Sequence, residues 1–256
     1  MTVYFIGAGP GAPDLLTLRA ADLLGRCGVC VYAGSLVPAE ILERSPSGVR
    51  LIDTARMPLD EIVTAMVDAD RAGHDVARVH SGDLSVYSAM TEQIRELARH
   101  GVAVEIVPGV PAFAAAAAAL GTELTVPGIG QSLLITRVST LSTDMPDGER
   151  LDELAATGVT LALHLAAHRA EQIVSSLTPH YGADCPTATV AFASRPEQVV
   201  VRAPLAGLPE ALSAHGIRRT AVIFVGRVLD PSVGAVTDSY LYSHARMTKL
   251  RSDDQR

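Results

Sequence analysis

Short apolar segments alternate with amphipathic helical patterns through the first half of the chain, and this alternation limits the possible folds more than any other feature. Residues 59–72 and 86–100 repeat apolar positions about every three to four residues, which predicts helices. Apolar strands joined by helices predict a mainly parallel sheet with helices on both faces. The predicted strands are residues 3–6, 28–32, 50–52, 75–80 and 102–107.

The second half keeps the α/β pattern with one change. Residues 187–193 and 199–201 are both strand-like, and no helical pattern lies between them. Successive strands without a crossover helix pair antiparallel, so we expect a mixed second sheet. We therefore expect two α/β domains, 1–112 and 113–230, and a polar tail, 231–256, whose end is disordered. The other predicted elements are strands 133–137, 160–165 and 221–225 and helices 112–120, 168–177 and 208–215.

The charge and the scarcity of aromatic residues disfavour nucleic-acid binding. The formal net charge is -7, tryptophan is absent, and aromatic residues make up 4% of the chain. Such a chain lacks both a basic stripe for phosphates and aromatic platforms for bases. The apolar run 112–120 is too short to cross a bilayer, and Met1 leads into a strand instead of a charged leader. We expect a cytoplasmic protein that binds neither nucleic acid nor membrane.

The three cysteines, Cys27, Cys30 and Cys185, have no framework spacing, and their odd number indicates a reducing compartment. The spacing Cys27-x-x-Cys30 is typical of redox and metal sites. Because no second pair follows, we interpret these residues as core thiols.

His164, His168 and Glu171 have a spacing that suggests a metal site. However, His164 ends a predicted strand, so the two histidines do not share a helical face. We therefore predict no metal.

A glycine-rich turn, Gly-Ala-Gly-Pro-Gly at residues 7–11, follows the first predicted strand and precedes a helical pattern. Free amide groups in this context bind phosphate, so a dinucleotide-dependent oxidoreductase is one hypothesis. Three details count against it. Gly11 lies two residues after Gly9 instead of three, Pro10 lacks an amide donor, and no acidic residue follows the second strand. A purely structural tight turn is the alternative.

Residues 6–20 resemble the first signature of the tetrapyrrole methylases at fifteen consecutive positions. A second signature appears within residues 76–109, where Ser-Gly-Asp at 81–83 precedes Tyr-Ser at 87–88 and Pro-Gly at 108–109. Leu84 replaces the proline that usually follows the Gly-Asp pair, which leaves this loop less rigid. The resemblance covers about residues 2–229. Within the family, the sequence is most similar to members that methylate a corrin precursor of cobalamin, notably at residues 32–37, 80–88, 124–128 and 131–137.

The resemblance implies two αβα domains, a mainly parallel first sheet, a mixed second sheet, and S-adenosylmethionine in the cleft between the domains. It also implies a homodimer and an anionic tetrapyrrole as substrate. Methyl transfer from a sulfonium is an in-line displacement, in which the protein aligns the reactants and excludes water. This chemistry needs neither a covalent nucleophile nor a metal.

Loops that follow the strands of both domains are expected to hold the methyl donor, by the same resemblance. Without it, Leu165 and Ala221 would be interpreted as core residues, and Asp83 would be as much a candidate for a helix N-cap as for a ligand contact, two roles that are compatible. The predicted cofactor-binding residues are Pro10, Gly82, Asp83, Val86, Tyr87, Pro111, Ala112, Leu165, Ala193, Thr220 and Ala221.

The implied substrate carries many carboxylates, and arginine forks fit carboxylates well. Arg137, at the end of a predicted strand, is the first candidate, and Arg195 and His80 are the next. Each has a solvated surface charge as the alternative. Asp14 and Thr17 belong to a segment that borders the substrate cleft in the family, although either could simply cap the first helix.

Asp83 and His80 are the candidates for a catalytic base. The electron-rich ring system of the substrate can also make a strong base unnecessary. Sequence does not decide whether the substrate carries cobalt.

Several alternative functions stay open. Within the family they are a uroporphyrinogen methyltransferase, a diphthine methylase and a ribosomal RNA methylase, the last disfavoured by the acidic charge. An oxidoreductase predicts binding of a reduced nicotinamide cofactor and no binding of S-adenosylhomocysteine. A non-enzymatic regulator predicts binding of the donor without turnover.

Overall fold

A computed structural model of the chain describes residues 1–139, 144–230, 232, 240 and 243–253. They form two compact units. The first unit comprises Met1–Ala116 and Phe192–Gln198, and the second comprises Ala117–Ala191 and Val199–Arg256. The sequence-based division falls at residue 112 and assigns residues 192–198 to the second domain. The structure therefore differs in both respects.

The first unit contains a five-stranded parallel sheet. Its strands are β1 Thr2–Gly7, β2 Val29–Tyr32, β3 Arg50–Asp53, β4 Val76–His80 and β5 Ala103–Val107. They are arranged in the order β3-β2-β4-β1-β5, and the central strand pair aligns Phe5 with Arg78 and Gly7 with His80. All five strands predicted for this half are present, and the parallel sheet is confirmed.

Helices cover both faces of this sheet, as its apolar strands require. Val3 and Phe5 point to one face and pack with Met66, whereas Ile6 points to the other face and packs with Leu23. Burial of each such side chain contributes about 1.5–3 kcal/mol. The helices numbered along this part of the chain are α1 Leu18–Leu24, α2 Ala39–Leu42, α3 Leu59–Arg71, α4 Met90–Arg99 and α5 Ala112–Leu120.

Helix α4 begins four residues later than the sequence predicts. The predicted start at residue 86 is wrong because Tyr87 and Ala89 have backbone φ angles of 53° and 52°. This left-handed conformation cannot continue into a right-handed helix. Residues 81–89 therefore form a loop, which we call the β4–α4 loop.

The second unit contains a mixed five-stranded sheet. Its strands are β6 Leu133–Arg137, β7 Thr160–His164, β8 Pro186–Ala191, β9 Val199–Pro204 and β10 Ala221–Val225, in the order β6-β7-β10-β8-β9. Strands β6 and β7 pair in parallel, and the other neighbours pair antiparallel. Strands β8 and β9 follow one another without a helix, so the predicted mixed sheet is confirmed. The helices are α6 Leu151–Ala155, α7 Ala170–Tyr181, α8 Leu208–Ala214 and α9 His244–Asp253.

The C-terminal tail differs in part from its prediction. Helix α9 includes Asp253, which the sequence assigned to a disordered end. Residues 254–256, the rest of that predicted end, lie outside the described residues, as do residues 140–143. Within the described part of the chain, no helix combines the length and apolar character that a bilayer crossing requires.

Candidate active site

Three loops of the first unit meet at the carboxyl ends of adjacent strands. Gly7 ends β1, Gly82 follows β4 and Gly109 follows β5. The Gly82 amide donates to the Gly9 carbonyl at 2.7 Å, and the Gly9 amide donates to the Gly82 carbonyl at 3.1 Å. The carboxyl edge of a parallel sheet is where α/β proteins bind their ligands. We call this meeting point the glycine junction.

The glycine junction has no room for side chains. A Cβ atom on Gly7 would lie 2.6 Å from the Gly109 nitrogen, and one on Gly109 would lie 2.8 Å from the Gly7 carbonyl carbon. Both distances are shorter than real Cβ contacts. The glycines therefore allow main chain to pack against main chain, which fixes the loops on which a ligand could rest.

The glycine turn itself does not have the features of a phosphate-binding turn. The Gly9 amide is already bonded within the protein. Helix α1 begins only at Leu18, after a 3-10 turn at Pro13–Leu15, so the turn does not lie at a helix N-terminus. Both observations count against the dinucleotide hypothesis.

Asp83 holds two of the three loops together. One carboxylate oxygen accepts the Gly109 amide at 2.8 Å. The other accepts the Ser85 amide at 2.9 Å and the Ser85 hydroxyl. Burial would raise the pKa of Asp83, but the hydrogen bonds from Ser85 and Gly109 outweigh it and keep the pKa below its ordinary value. Asp83 is therefore ionised, and it is not the N-cap of α4, which is Ala89.

A second fixed region lies around Pro10, where residues 192–198 contact the glycine turn. The Ala12 amide donates to the Ser194 hydroxyl at 3.0 Å. The Arg195 side chain, 12% exposed, donates to the Leu36 carbonyl at 2.8 Å and leaves no room for a Cβ on Gly11. Arg195 therefore has a main-chain partner in Leu36 and an ion pair with Glu197 at 3.9 Å, and its predicted role as a substrate ligand stays a prediction.

Left-handed backbone occurs at six non-glycine residues among those described. Tyr87, Leu165 and Thr220 coincide with predicted cofactor residues, and two others flank Ala193, a fourth predicted residue. Strained backbone of this kind clusters at ligand sites, where surrounding structure maintains it. Tyr87 and Leu165 are also 46% and 59% exposed, so their apolar surfaces are open to a ligand. The six are Tyr87, Ala89, Leu165, Phe192, Ser194 and Thr220.

The other predicted cofactor residues lie at the ends of elements. Val86 is partly exposed in the β4–α4 loop, Pro111 directly precedes α5, and Ala112 begins it. Ala193 is buried, and Ala221 begins β10 opposite Ala191. Their cofactor contacts, and the predicted cleft between domains, stay predictions.

The predicted substrate residues have different surroundings. Thr17 is the N-cap of α1 and accepts the Ala20 amide at 3.2 Å, so its capping role is present. Asp14 is exposed in the preceding 3-10 turn. Arg137 is partly buried at the end of β6 and donates to the carbonyls of Val138 and Asp144, each at 3.2 Å.

His80 is a poor candidate for a base. Its side chain is 5% exposed and its ring stacks on Phe5, with 5.8 Å between ring centroids. Burial and the nearby Arg78 charge lower the pKa of His80 to about 3, against a smaller effect of a hydrogen bond with the Ser88 backbone. The ring is therefore neutral and largely shielded from solvent.

The cysteines are buried thiols of low reactivity. Burial raises the pKa of Cys27 to about 12 and that of Cys30 to about 11, and it also raises the pKa of Cys185. Among the described residues, no group of three or more His, Cys, Asp or Glu is arranged to hold a metal ion.

Sequence reasoning did not identify Ser85, which binds Asp83, or Gln93 and Arg78, which bind each other beside the β4–α4 loop. Arg78 could have been noticed from the sequence, because it is a charged residue in the middle of an otherwise apolar, buried strand. Nothing in the local sequence pattern marks Gln93 or Ser85, because their partners lie elsewhere in the chain or in an irregular loop.

Comparison with known proteins gives three kinds of similarity. The profile of the family described as Tetrapyrrole (Corrin/Porphyrin) Methylases matches residues 2–209. A precorrin-4 C(11)-methyltransferase of Rhodococcus erythropolis is 58% identical over 96% of this chain and 98% of its own length. A solved cobalt precorrin-4 methyltransferase has a TM-score of 0.88 and 39% identity, over 90% of this chain and 96% of that one. A uroporphyrin-III C-methyl transferase from Thermus thermophilus, complexed with S-adenosylhomocysteine, has a TM-score of 0.74 and 30% identity, over 90% and 93%.

Proposed function

The chain belongs to the tetrapyrrole (corrin/porphyrin) methylase family, and from this premise we propose that it methylates C-11 of precorrin-4 with S-adenosylmethionine. The products are precorrin-5 and S-adenosylhomocysteine, in the biosynthesis of cobalamin. The Rhodococcus erythropolis relative, which matches along nearly the full length of both chains, carries the name of this reaction. The observation in the structure that best supports the proposal is the left-handed backbone at Tyr87, Leu165 and Thr220. The family resemblance predicts these positions for the cofactor without reference to backbone geometry.

The residues present fit a methyl donor held largely by main chain. S-adenosylmethionine supplies the methyl group as a sulfonium. The glycine junction fixes the loops at Gly82 and Gly109, and the ionised Asp83 maintains their contact. Apolar surface at Tyr87 and Leu165 can exclude water from a bound ligand. The proposed cofactor residues are the eleven predicted from sequence.

In the proposed mechanism, the protein accelerates methyl transfer mainly by aligning the methyl donor with the tetrapyrrole. Asp83 is a weak base, because its pKa is low and both carboxylate oxygens already accept hydrogen bonds. His80 is buried away from solvent. In this proposal the substrate's own electron-rich ring is the nucleophile: its carbon bonds the methyl group, and the sulfur keeps the electron pair of the broken bond and leaves as S-adenosylhomocysteine. The proton that the methylated ring then loses passes to solvent, since no side chain is assigned as its base.

Arg137 is the proposed partner for a substrate carboxylate. Its guanidinium carries a fixed positive charge, is only partly buried at the end of β6, and is oriented by the Val138 and Asp144 carbonyls. The planar fork of an arginine matches the geometry of a carboxylate. Asp14 and Thr17 are proposed to border the same substrate. The proposal also includes a homodimer that works in the cytoplasm without a metal.

The cobalt-containing form of the same precursor is a second candidate substrate. It is favoured by the similarity to the solved cobalt precorrin-4 methyltransferase. The two candidates differ only in the metal at the centre of the macrocycle, so the same site can be tested with both.

The proposal is tested with purified protein, radiolabelled S-adenosylmethionine and a panel of acceptors. The panel contains precorrin-4, cobalt-precorrin-4 and uroporphyrinogen III. We expect transfer to one of the first two and binding of S-adenosylhomocysteine by calorimetry. Binding of a reduced nicotinamide cofactor, with no binding of S-adenosylhomocysteine, would support the oxidoreductase instead. Donor binding without transfer to any acceptor would favour a regulator.

A further inference from the structure

Strand β4 carries two buried polar side chains that point to the same face of the first sheet. Arg78 and His80 are 3% and 5% exposed and lie two residues apart, which places them on one face. A charged side chain is rarely buried to this extent unless it is paired. Its presence here calls for a physical explanation.

Among the residues that the structure describes, the buried guanidinium of Arg78 makes hydrogen bonds to neutral partners only. Its Nε donates to the Gln93 side-chain oxygen at 2.8 Å. One Nη donates to the Thr54 hydroxyl at 3.3 Å and the Val31 carbonyl at 3.4 Å. Within residues 1–139 and 144–230, no carboxylate lies in ion-pair contact with it. Removal of a charge from water without an opposite charge is unfavourable, so general stability does not explain this arginine.

Gln93 connects this arginine to the β4–α4 loop. While its oxygen accepts from Arg78, its amide nitrogen donates to the Ala89 carbonyl at 2.9 Å. Ala89 has left-handed backbone and precedes the first residue of α4. Such a conformation is unfavourable for alanine and persists only when neighbouring contacts maintain it.

The same loop segment has other internal contacts. The Ser88 hydroxyl donates to the Leu84 carbonyl at 2.6 Å, and the ring of His80 interacts with the Ser88 backbone. Tyr87, which is left-handed and exposed, lies next to Ser88. Arg78 and Gln93 thus act at one end of a loop whose remaining residues include the predicted cofactor contacts.

We propose that Arg78 and Gln93 are positioning residues, which hold the β4–α4 loop in the left-handed conformation that binds the methyl donor. The fixed fork of the guanidinium orients the Gln93 amide, and that amide holds the carbonyl of Ala89. This inference rests on the proposed function, because it assumes that the loop contacts S-adenosylmethionine and S-adenosylhomocysteine.

The test is the variant Gln93→Glu, compared with the control Thr54→Val. A glutamate still accepts from Arg78 and neutralises its charge, but it has no amide to donate to Ala89. The control removes a different partner of Arg78, one that does not touch the loop. We expect Gln93→Glu to weaken S-adenosylhomocysteine binding about fivefold by calorimetry, the effect of one lost hydrogen bond. Thr54→Val should bind as the wild type does.

A rescue experiment separates positioning from general stability. Glycine adopts left-handed backbone without strain, so Ala89→Gly in the Gln93→Glu background should restore most of the lost affinity. Hydrogen exchange without ligand should be faster at residues 84–90 in Gln93→Glu and unchanged there in Thr54→Val. This second measurement does not require ligand binding, and if Gln93→Glu does not fold, Gln93→Met allows both comparisons.

Three outcomes overturn the inference while leaving the proposed function intact. They are wild-type affinity in Gln93→Glu, equal weakening in Thr54→Val, and no rescue by Ala89→Gly. Failure of the wild-type protein to bind S-adenosylhomocysteine is a different result. It removes the proposed function and, with it, the premise of this inference.

Discussion

Substitution of Gly109 by alanine tests whether the glycine junction is as tightly packed as the structure shows. The new Cβ would lie 2.8 Å from the carbonyl carbon of Gly7 and closer still to the carbonyl oxygen of Gly82. Because these atoms are main chain at the ends of sheet strands, they cannot rotate away as a side chain can. The loops must separate.

The expected loss of stability in Gly109→Ala is the sum of two contributions. Overpacking of a tightly packed site is unfavourable by about 1–3 kcal/mol. Separation of the loops also breaks the hydrogen bond from the Gly109 amide to Asp83, now 2.8 Å long, and a bond to a charged group contributes about 1.5–3 kcal/mol. We therefore expect Gly109→Ala to lower the free energy of unfolding by about 3–5 kcal/mol. At about 2–4 °C per kcal/mol, the Tm should fall by about 10 °C.

Gly101→Ala is the matched control in the same unit. Gly101 has a φ of +72°, and a Cβ at this position would have no heavy atom within 4 Å, so the substitution imposes backbone strain without a clash. That strain is unfavourable by about 1–2 kcal/mol. Thermal and urea unfolding should rank wild type, Gly101→Ala and Gly109→Ala in decreasing order of stability, with S-adenosylhomocysteine binding weakened only in Gly109→Ala. Equal losses in the two variants would refute the close approach of the three loops.

Three further predictions concern single side chains. The pKa of Asp83 is depressed in the folded state, so ionised Asp83 stabilises the fold above its ordinary pKa, and this stabilisation is lost as the pH falls through the lower folded value. The free energy of unfolding of Asp83→Asn should therefore depend less steeply on pH in acid than that of the wild type. An unchanged slope would contradict the depressed pKa of Asp83. A disulfide reagent in mildly alkaline buffer should modify none of Cys27, Cys30 and Cys185 in the folded protein and all three after denaturation, whereas rapid reaction in the native state would contradict their burial. Arg137→Ala should raise the KM for the tetrapyrrole about tenfold with little change in cofactor affinity, since a charge-assisted hydrogen bond is lost; the reverse pattern would remove Arg137 from the substrate site.

Elements with a strong local pattern could be predicted from the sequence. The apolar periods of the ten strands are local properties of the chain, and two strands without an intervening helix indicated the mixed second sheet. The start of α4 could not be predicted in this way. Val86 and Tyr87 continue the helical pattern, but Tyr87 and Ala89 have left-handed backbone, and the hydrogen bond from Gln93 to the Ala89 carbonyl forms only in the folded chain.

Site residues that belong to a local sequence motif could be predicted. Contacts between residues that are distant in the sequence could not. The glycine turn could be recognised in the sequence. Glycine is required at Gly7 because Gly82 and Gly109, which are distant in the sequence, approach it closely in the folded chain. Arg195 was predicted as a substrate ligand because its type and position suit one. Its contacts with Gly11 and Leu36 arise only in the folded chain.

The position of the transferred methyl group tests the central claim most directly. The purified protein is incubated with precorrin-4 or cobalt-precorrin-4 and a donor whose methyl carbon is labelled with carbon-13, and the product is examined by carbon NMR. The account predicts one new labelled methyl group, bonded to C-11, and one equivalent of S-adenosylhomocysteine. A label on another ring carbon, or no labelled product while the donor binds, would contradict it.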